Sequence, residues 1–231
     1  MSVGAILIVF QIVVLVFAFS VHECAHAWMA MRLGDATAFL QGRVTLNPVK
    51  HIDPWGSIVM PALAALTGWP LIGWAKPCPV TLRNFRRMKR DDILTTAAGP
   101  ASNLLIALVA GILLAVLRHV NFVGDDAVRT AMDVANGYSE DLATLPPAFP
   151  IALLLYYSIL TNLLLFCFNL IPIPPLDGSR ILRYFLPYKW EQVYDQFGSY
   201  GIFLLMLVGG RLLLPVYRPL VMVFEDAVLK L

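Results

Sequence analysis

From Ile93 to Leu117 the chain runs 25 residues without a charge. Val3 to Phe19 is nearly as uniform, with Gln11 as its one polar side chain, and Leu142 to Leu176 carries no charge at all. A helix needs roughly 20 apolar residues to cross a bilayer. Inside hydrocarbon every backbone N–H and C=O must be satisfied within the protein, which a helix does by itself. Composition agrees. Of the 231 residues 14% are charged and 59% hydrophobic, and mean hydropathy is +0.74, whereas a soluble domain carries about a quarter charged residues. These features predict an all-α polytopic membrane protein, a single membrane domain over residues 1–231 with no room for a large appended soluble one. A net charge of +2 is too small to suggest nucleic acid. Cys24, Cys78 and Cys167 are odd in number and unpaired in spacing, so neither a disulfide framework nor a cysteine zinc site is expected. The N-terminal run lacks a positive n-region and a small-residue cleavage site, so it is expected to stay attached.

The first run ends in His22-Glu23-Cys24-Ala25-His26. Histidines four apart on a helix share one face, about one turn apart along the axis. Two imidazoles so placed can reach one Zn²⁺, and Glu23 can reach a metal-activated water as general base. By itself so short a motif arises by chance in many proteins. Its address changes its weight: His and Glu are costly in a bilayer and are rarely placed there without a partner or a function. A metal supplies the compensation. Cys24, two residues from each histidine, points away from their face.

Four full spans are expected. The zinc helix covers residues 3–32, and Gly34 is placed as its C-cap. Residues 35–80 form a membrane-associated β and re-entrant region. Thr37 to Leu40 and Arg43 to Leu46 read as strands of a hairpin around Gln41-Gly42. Gly56 to Trp74 is broken by Pro61, Gly68 and Pro70 and has positive residues on both flanks. It should therefore dip in and return, or cross only partly, since non-helical backbone at membrane depth survives only against protein or a wet cavity. Trp55, Trp69 and Trp74 are expected at the interface, and Gly73 to Val80 should be extended. Residues 93–117 form the second span. The polar loop 118–147, poor in Lys and Arg, should lie outside, while Arg83, Arg86, Arg87, Lys89 and Arg90 should be cytoplasmic. The span 149–170 leads to Leu176-Asp177-Gly178 through Pro172, Pro174 and Pro175, which stop the helix. Residues 197–217 form a fourth span, with Arg211 snorkelling, and 216–231 a terminal interfacial helix.

Catalytic zinc usually takes three protein ligands. Of the remaining candidates His119 lies at the far end of its span, and Glu191 and Asp195 lie in a polar stretch. His51 is on the correct side. Asp177 emerges on the same side as the histidines, and a cation relieves its cost near the membrane, so topology favours Asp177 with His51 as the lesser candidate.

Three motifs in order resemble the site-2 proteases, zinc proteases that cut within membranes. His22-Glu23-Cys24-Ala25-His26 resembles their zinc helix. Gly99-Pro100-Ala101-Ser102-Asn103 resembles their Gly-Pro-x-x-Asn. Asn169 through Gly178 resembles their Asn-x-x-Pro-x-Pro-x-Leu-Asp-Gly. The likeness covers about residues 5–185 and is closest to the compact prokaryotic type without PDZ or CBS domains. It implies one Zn²⁺ per chain held by His22, His26 and Asp177, with Glu23 as catalytic base and Asn103 and Asn169 lining the substrate site. It implies regulated cleavage of single-span membrane proteins, in the cell membrane and towards the cytoplasmic side. It also implies that Arg43 to Val80 pairs with an extended substrate. From the residues alone, Asn103 could equally bond across helices, and Asn169 could cap the break made by Pro172. The alternative function is a non-proteolytic zinc-binding membrane protein, such as a transporter or sensor. A transporter should place polar or acidic residues on several spans, and here the second and third are uncharged.

Overall fold

The computed structural model describes residues 3–60, 63, 75–120, 122–138 and 145–230. The helices are α1 (Val3–Leu33), α2 (Thr37–Leu40), α3 (Met88–Val120), α4 (Phe122–Ala135), α5 (Phe149–Asn169), α6 (Asp177–Arg183), α7 (Tyr188–Phe197) and α8 (Gly201–Lys230). Among the described residues three helices are long and apolar enough to cross a membrane: Ile6–Leu33, Met88–His119 and Phe149–Asn169. They correspond to the first three expected spans and make this an all-helical, multi-pass membrane protein. α8 is not one of the three. It joins the expected fourth span and the expected terminal helix into one, and Arg211, Arg218, Glu225 and Asp226 cut its apolar runs short.

Two further expectations are corrected. The hairpin over residues 37–46 does not form. Thr37–Leu40 is a single helical turn, and no strand occurs among the described residues. The cause is Asp35, fully buried, whose Oδ1 accepts from the Thr37 amide at 3.1 Å. That local bond starts a helical turn where the side chains alone would suit a strand. The region 118–147 is not an unstructured loop, because α4 lies within it. Ala127, Val128, Ala131, Met132 and Val134 are buried, a stripe at helical spacing. The re-entrant expectation falls mostly on residues 61–62 and 64–74, outside the described residues. Its described beginning, Pro54–Val59, is a π-helical turn capped by Asp53.

The chain divides into two compact units. One comprises Met1–Leu15, Asn103–Phe166 and Leu214–Leu231. Its core is notable for small side chains: Ala107, Ala110, Ala127, Ala131 and Ala152 are buried with Leu114, Leu153, Tyr156 and Leu163. Lipid is as apolar as leucine, so helices in a bilayer gain by close van der Waals approach, which alanine allows. Asn103 and Asn162, both buried, meet in this unit, with Asn103 Nδ2 donating to Asn162 Oδ1 at 2.8 Å. An interhelical bond of this kind contributes about 0.6–2 kcal/mol.

The other unit comprises Val16–Ser102 and Cys167–Leu213. α1 ends in it with a Schellman motif: Asp35 N–H bonds Ala30 O at 2.9 Å, Gly34 N–H bonds Met31 O at 3.3 Å, and Gly34 has φ +115°. Only glycine adopts that left-handed conformation without strain. Asp35, just beyond it, also accepts from the Thr81 amide at 2.7 Å and from Asn84 Nδ2 at 2.9 Å. The end of α1 is thereby tied to the chain entering α3.

Candidate metal centre

The centre is assembled within this second unit. α1 carries His22 and His26 one turn apart, both buried. Their Nε2 atoms are 3.0 Å apart, and the rings stand edge to face at 87°. The residues after α5 cannot extend it, since Pro172, Pro174 and Pro175 withhold amides. The chain restarts as α6 with Asp177 as its first residue. Asp177 Oδ2 lies 3.2 Å from His22 Nε2 and 3.4 Å from His26 Nε2.

His26 Nδ1 is 2.8 Å from the Thr95 carbonyl. A carbonyl can only accept, so Nδ1 carries the proton and the neutral ring offers a lone pair at Nε2. Asp177 Oδ2 is likewise an acceptor, buried and without a well-formed hydrogen bond. His26 Nε2 and Asp177 Oδ2, two acceptors 3.4 Å apart, repel one another unless a cation lies between them, and His22 Nε2 completes the triangle at 3.0 and 3.2 Å. Tetrahedral zinc with bonds of 2.0–2.2 Å sets neighbouring donors about 3.3 Å apart. Both spacing and donor chemistry fit zinc.

Space for the rings comes from α3. A Cβ built on Gly99 would lie 2.3 Å from His26 Nε2 and 2.7 Å from His22 Cε1, far inside van der Waals contact. Pro100 follows within the same helix and has no amide for the Thr96 carbonyl, so the ladder opens one residue from the Thr95 carbonyl that holds His26. Glu23, between the two histidines in sequence, has its Oε2 buried with no hydrogen-bond partner. A buried carboxylate oxygen left so is costly.

The structure thus brings His22, His26 and Asp177 together, as topology favoured. Among the described residues this is the group of three or more His, Cys, Asp or Glu side chains that could hold a metal, and His51 is not in it. His51 is buried, and its Nε2 bonds the Thr45 carbonyl at 2.8 Å. Glu191 and Asp195 pair with Arg183 at 2.9 Å each. Asn169 closes α5, and Asn103 pairs with Asn162 in the other unit. The Thr95 carbonyl carries no sequence signal, because a main-chain acceptor has no side-chain signature. The Gly-Pro pair was visible as a motif, but its reason was not.

A helical multi-pass membrane fold with a buried His-Glu-x-x-His helix and an aspartate beside its two histidines defines a membrane-embedded zinc metallopeptidase. The sequence model of peptidase family M50 matches residues 10–209, and the chain belongs to that family. It is 37% identical over 229 residues to "Putative zinc metalloprotease YwhC" of Bacillus subtilis, covering 96% of this chain and 90% of that protein. It is 31% identical over 163 residues to "Putative zinc metalloprotease Rip2" of Mycobacterium tuberculosis, covering 70% of this chain and 51% of that one. No solved structure matches.

Proposed function

We propose that this chain cuts the transmembrane segments of single-span membrane proteins, with His22, His26 and Asp177 holding one zinc ion and Glu23 as general base. The observation that carries this reading is the convergence of two imidazole nitrogens and one carboxylate oxygen at 3.0–3.4 Å beside a partnerless buried glutamate oxygen. When bound, zinc polarises the scissile carbonyl and lowers the pKa of water towards about 7. Glu23 takes the proton of the attacking water and returns it to the leaving amine. Thr95 holds the His26 ring in the tautomer that ligation needs. Asn103 and Asn169 contact the substrate, an assignment resting on the motifs that contain them.

A transmembrane helix hides its carbonyls in its own hydrogen bonds, so the substrate must unwind before attack. The non-helical run 75–81 offers a main chain to pair with it. That run is itself held: Lys76 N–H donates to His51 O at 2.8 Å, and Arg43 reaches Pro77 O at 3.4 Å. Prolines 77 and 79 keep it from becoming helix. The reading further places the protein in the cell membrane, with its active site towards the cytoplasm and the first part of α8 as a fourth crossing.

The test is to incubate purified protein with a panel of single-span substrates, with and without chelator. Cleavage that stops on chelation and returns with zinc is expected, fastest for substrates with helix-breaking residues near the cytoplasmic side. Cleavage unaffected by chelation would sink the metal mechanism. Zinc binding with no cleavage of any substrate would make this a non-proteolytic zinc protein.

A further inference from the structure

We infer that Asp92 of α3, acting through Arg180 and Tyr184, is a positioning residue for the third metal ligand, an inference that rests on the ligand set proposed above. The need for one follows from α6. It has seven residues, Asp177–Arg183, and a helix so short has little stability of its own. Its direction, and so the place of Asp177 at its start, must be imposed by neighbours.

Asp92 does this with both carboxylate oxygens. Arg180 Nη2 donates to Oδ1 at 2.7 Å, and the Tyr184 hydroxyl donates to Oδ2 at 3.0 Å. One turn earlier on α3, Lys89 Nζ donates to the Tyr184 carbonyl at 2.7 Å, where α6 ends. Arg180 and Tyr184 follow Asp177 by three and seven residues, so all three lie on one helical face. The same spacing recurs on α3. Asp92, Thr95 and Gly99 form one stripe, and each serves a different part of the centre. Gly99 leaves room for both imidazoles, Thr95 orients His26, and Asp92 fixes the helix that presents Asp177. α3 contributes no ligand, yet it is the template against which all three are set.

Burial separates this contact from an ordinary surface ion pair. The Asp92 side chain is 4% exposed, against 41% for Arg180. A carboxylate so buried needs its partners, since losing one leaves an uncompensated charge. Burial and the adjacent Asp92 push the Tyr184 hydroxyl up to about 12, which keeps it a donor.

The experiment uses the purified full chain. Zinc affinity is measured by chelator competition, the Co²⁺-loaded visible spectrum reports ligand geometry, and thermal unfolding is followed on metal-free protein. Asp92→Ala is expected to weaken zinc binding by about 10–100-fold, as loss of outer-shell support does elsewhere, and to alter the Co²⁺ spectrum. Tyr184→Phe and Arg180→Lys should each shift the spectrum with a smaller loss of affinity, and they decide the matter should Asp92→Ala not fold. Variants with wild-type affinity and spectrum would overturn the proposal, and so would a lowered unfolding temperature alone, since that marks a purely structural role. Asp177→Ala runs in parallel. If it retains wild-type zinc affinity, the ligand assignment itself fails, a result distinct from failure of Asp92 to act on an intact centre.

Discussion

Replacing Gly99 with alanine would put a Cβ 2.3 Å from His26 Nε2, and the obstacle is a ring already held through Thr95. We expect Gly99→Ala to fold but to bind zinc poorly, which metal analysis of purified protein would show. Zinc at wild-type occupancy would mean that the rings can shift without cost. Glu23 is a cleaner chemical test. Glu23→Gln keeps the shape and removes the proton acceptor, so zinc should stay bound while cleavage falls at least 10²–10⁴-fold, the range for losing a general acid–base group. Full activity would remove Glu23 from the mechanism. The third ligand is decided the same way. Asp177→Ala should lose zinc and cleavage, whereas His51→Ala should keep the metal, because His51 Nε2 is committed to Thr45. Zinc retained in the first and lost in the second would reverse the assignment.

At the scale of elements, the junction of α1 with the chain entering α3 depends on Asp35. Burial pushes its carboxyl up, but bonds from Thr37, Thr81 and Asn84 outweigh this and hold it below the ordinary carboxylate value. A depressed folded value contributes stability above the unfolded pKa, about 3.9, and that contribution is lost as pH falls through the folded value. Asp35→Asn should therefore flatten the acid limb of a stability–pH curve. It should cost about 1–3 kcal/mol near neutral pH, the penalty for an imperfectly satisfied buried group. An unchanged acid limb would show that the cluster does not titrate with unfolding. The same residue explains why residues 37–46 read as a hairpin in sequence. Both runs are β-like by residue type, and the buried carboxylate beside them is held by Thr81 and Asn84, far along the chain. α4 was missed for the converse reason: its apolar stripe is short and interleaved with Asp125, Asp126, Arg129 and Asp133, so its pattern gains meaning only from the core it packs on.

For the whole molecule the open quantity is orientation. Positive residues are retained in the cytoplasm, so Arg83 to Arg90 should face that side and residues 118–147 the other. Single cysteines placed in each region, in a background without Cys24, Cys78 and Cys167, should react with a membrane-impermeant reagent from opposite sides. Labelling of both from one side would break this topology.

What the sequence determined without help was whatever rests on one-dimensional regularity. Uncharged length set the three crossings, since hydrocarbon admits little else. The i, i+4 spacing set the two histidines on one face, since helix geometry is the same everywhere. The proline cluster set the break after α5, since proline cannot donate. The tertiary structure decided what depends on residues distant in the chain. It set Asp177, which topology favoured, 3.2 Å from His22 Nε2 across more than 150 positions. It gave the Gly99 site its purpose and recruited the Thr95 carbonyl. Each of these is set by a contact whose partner no local pattern names.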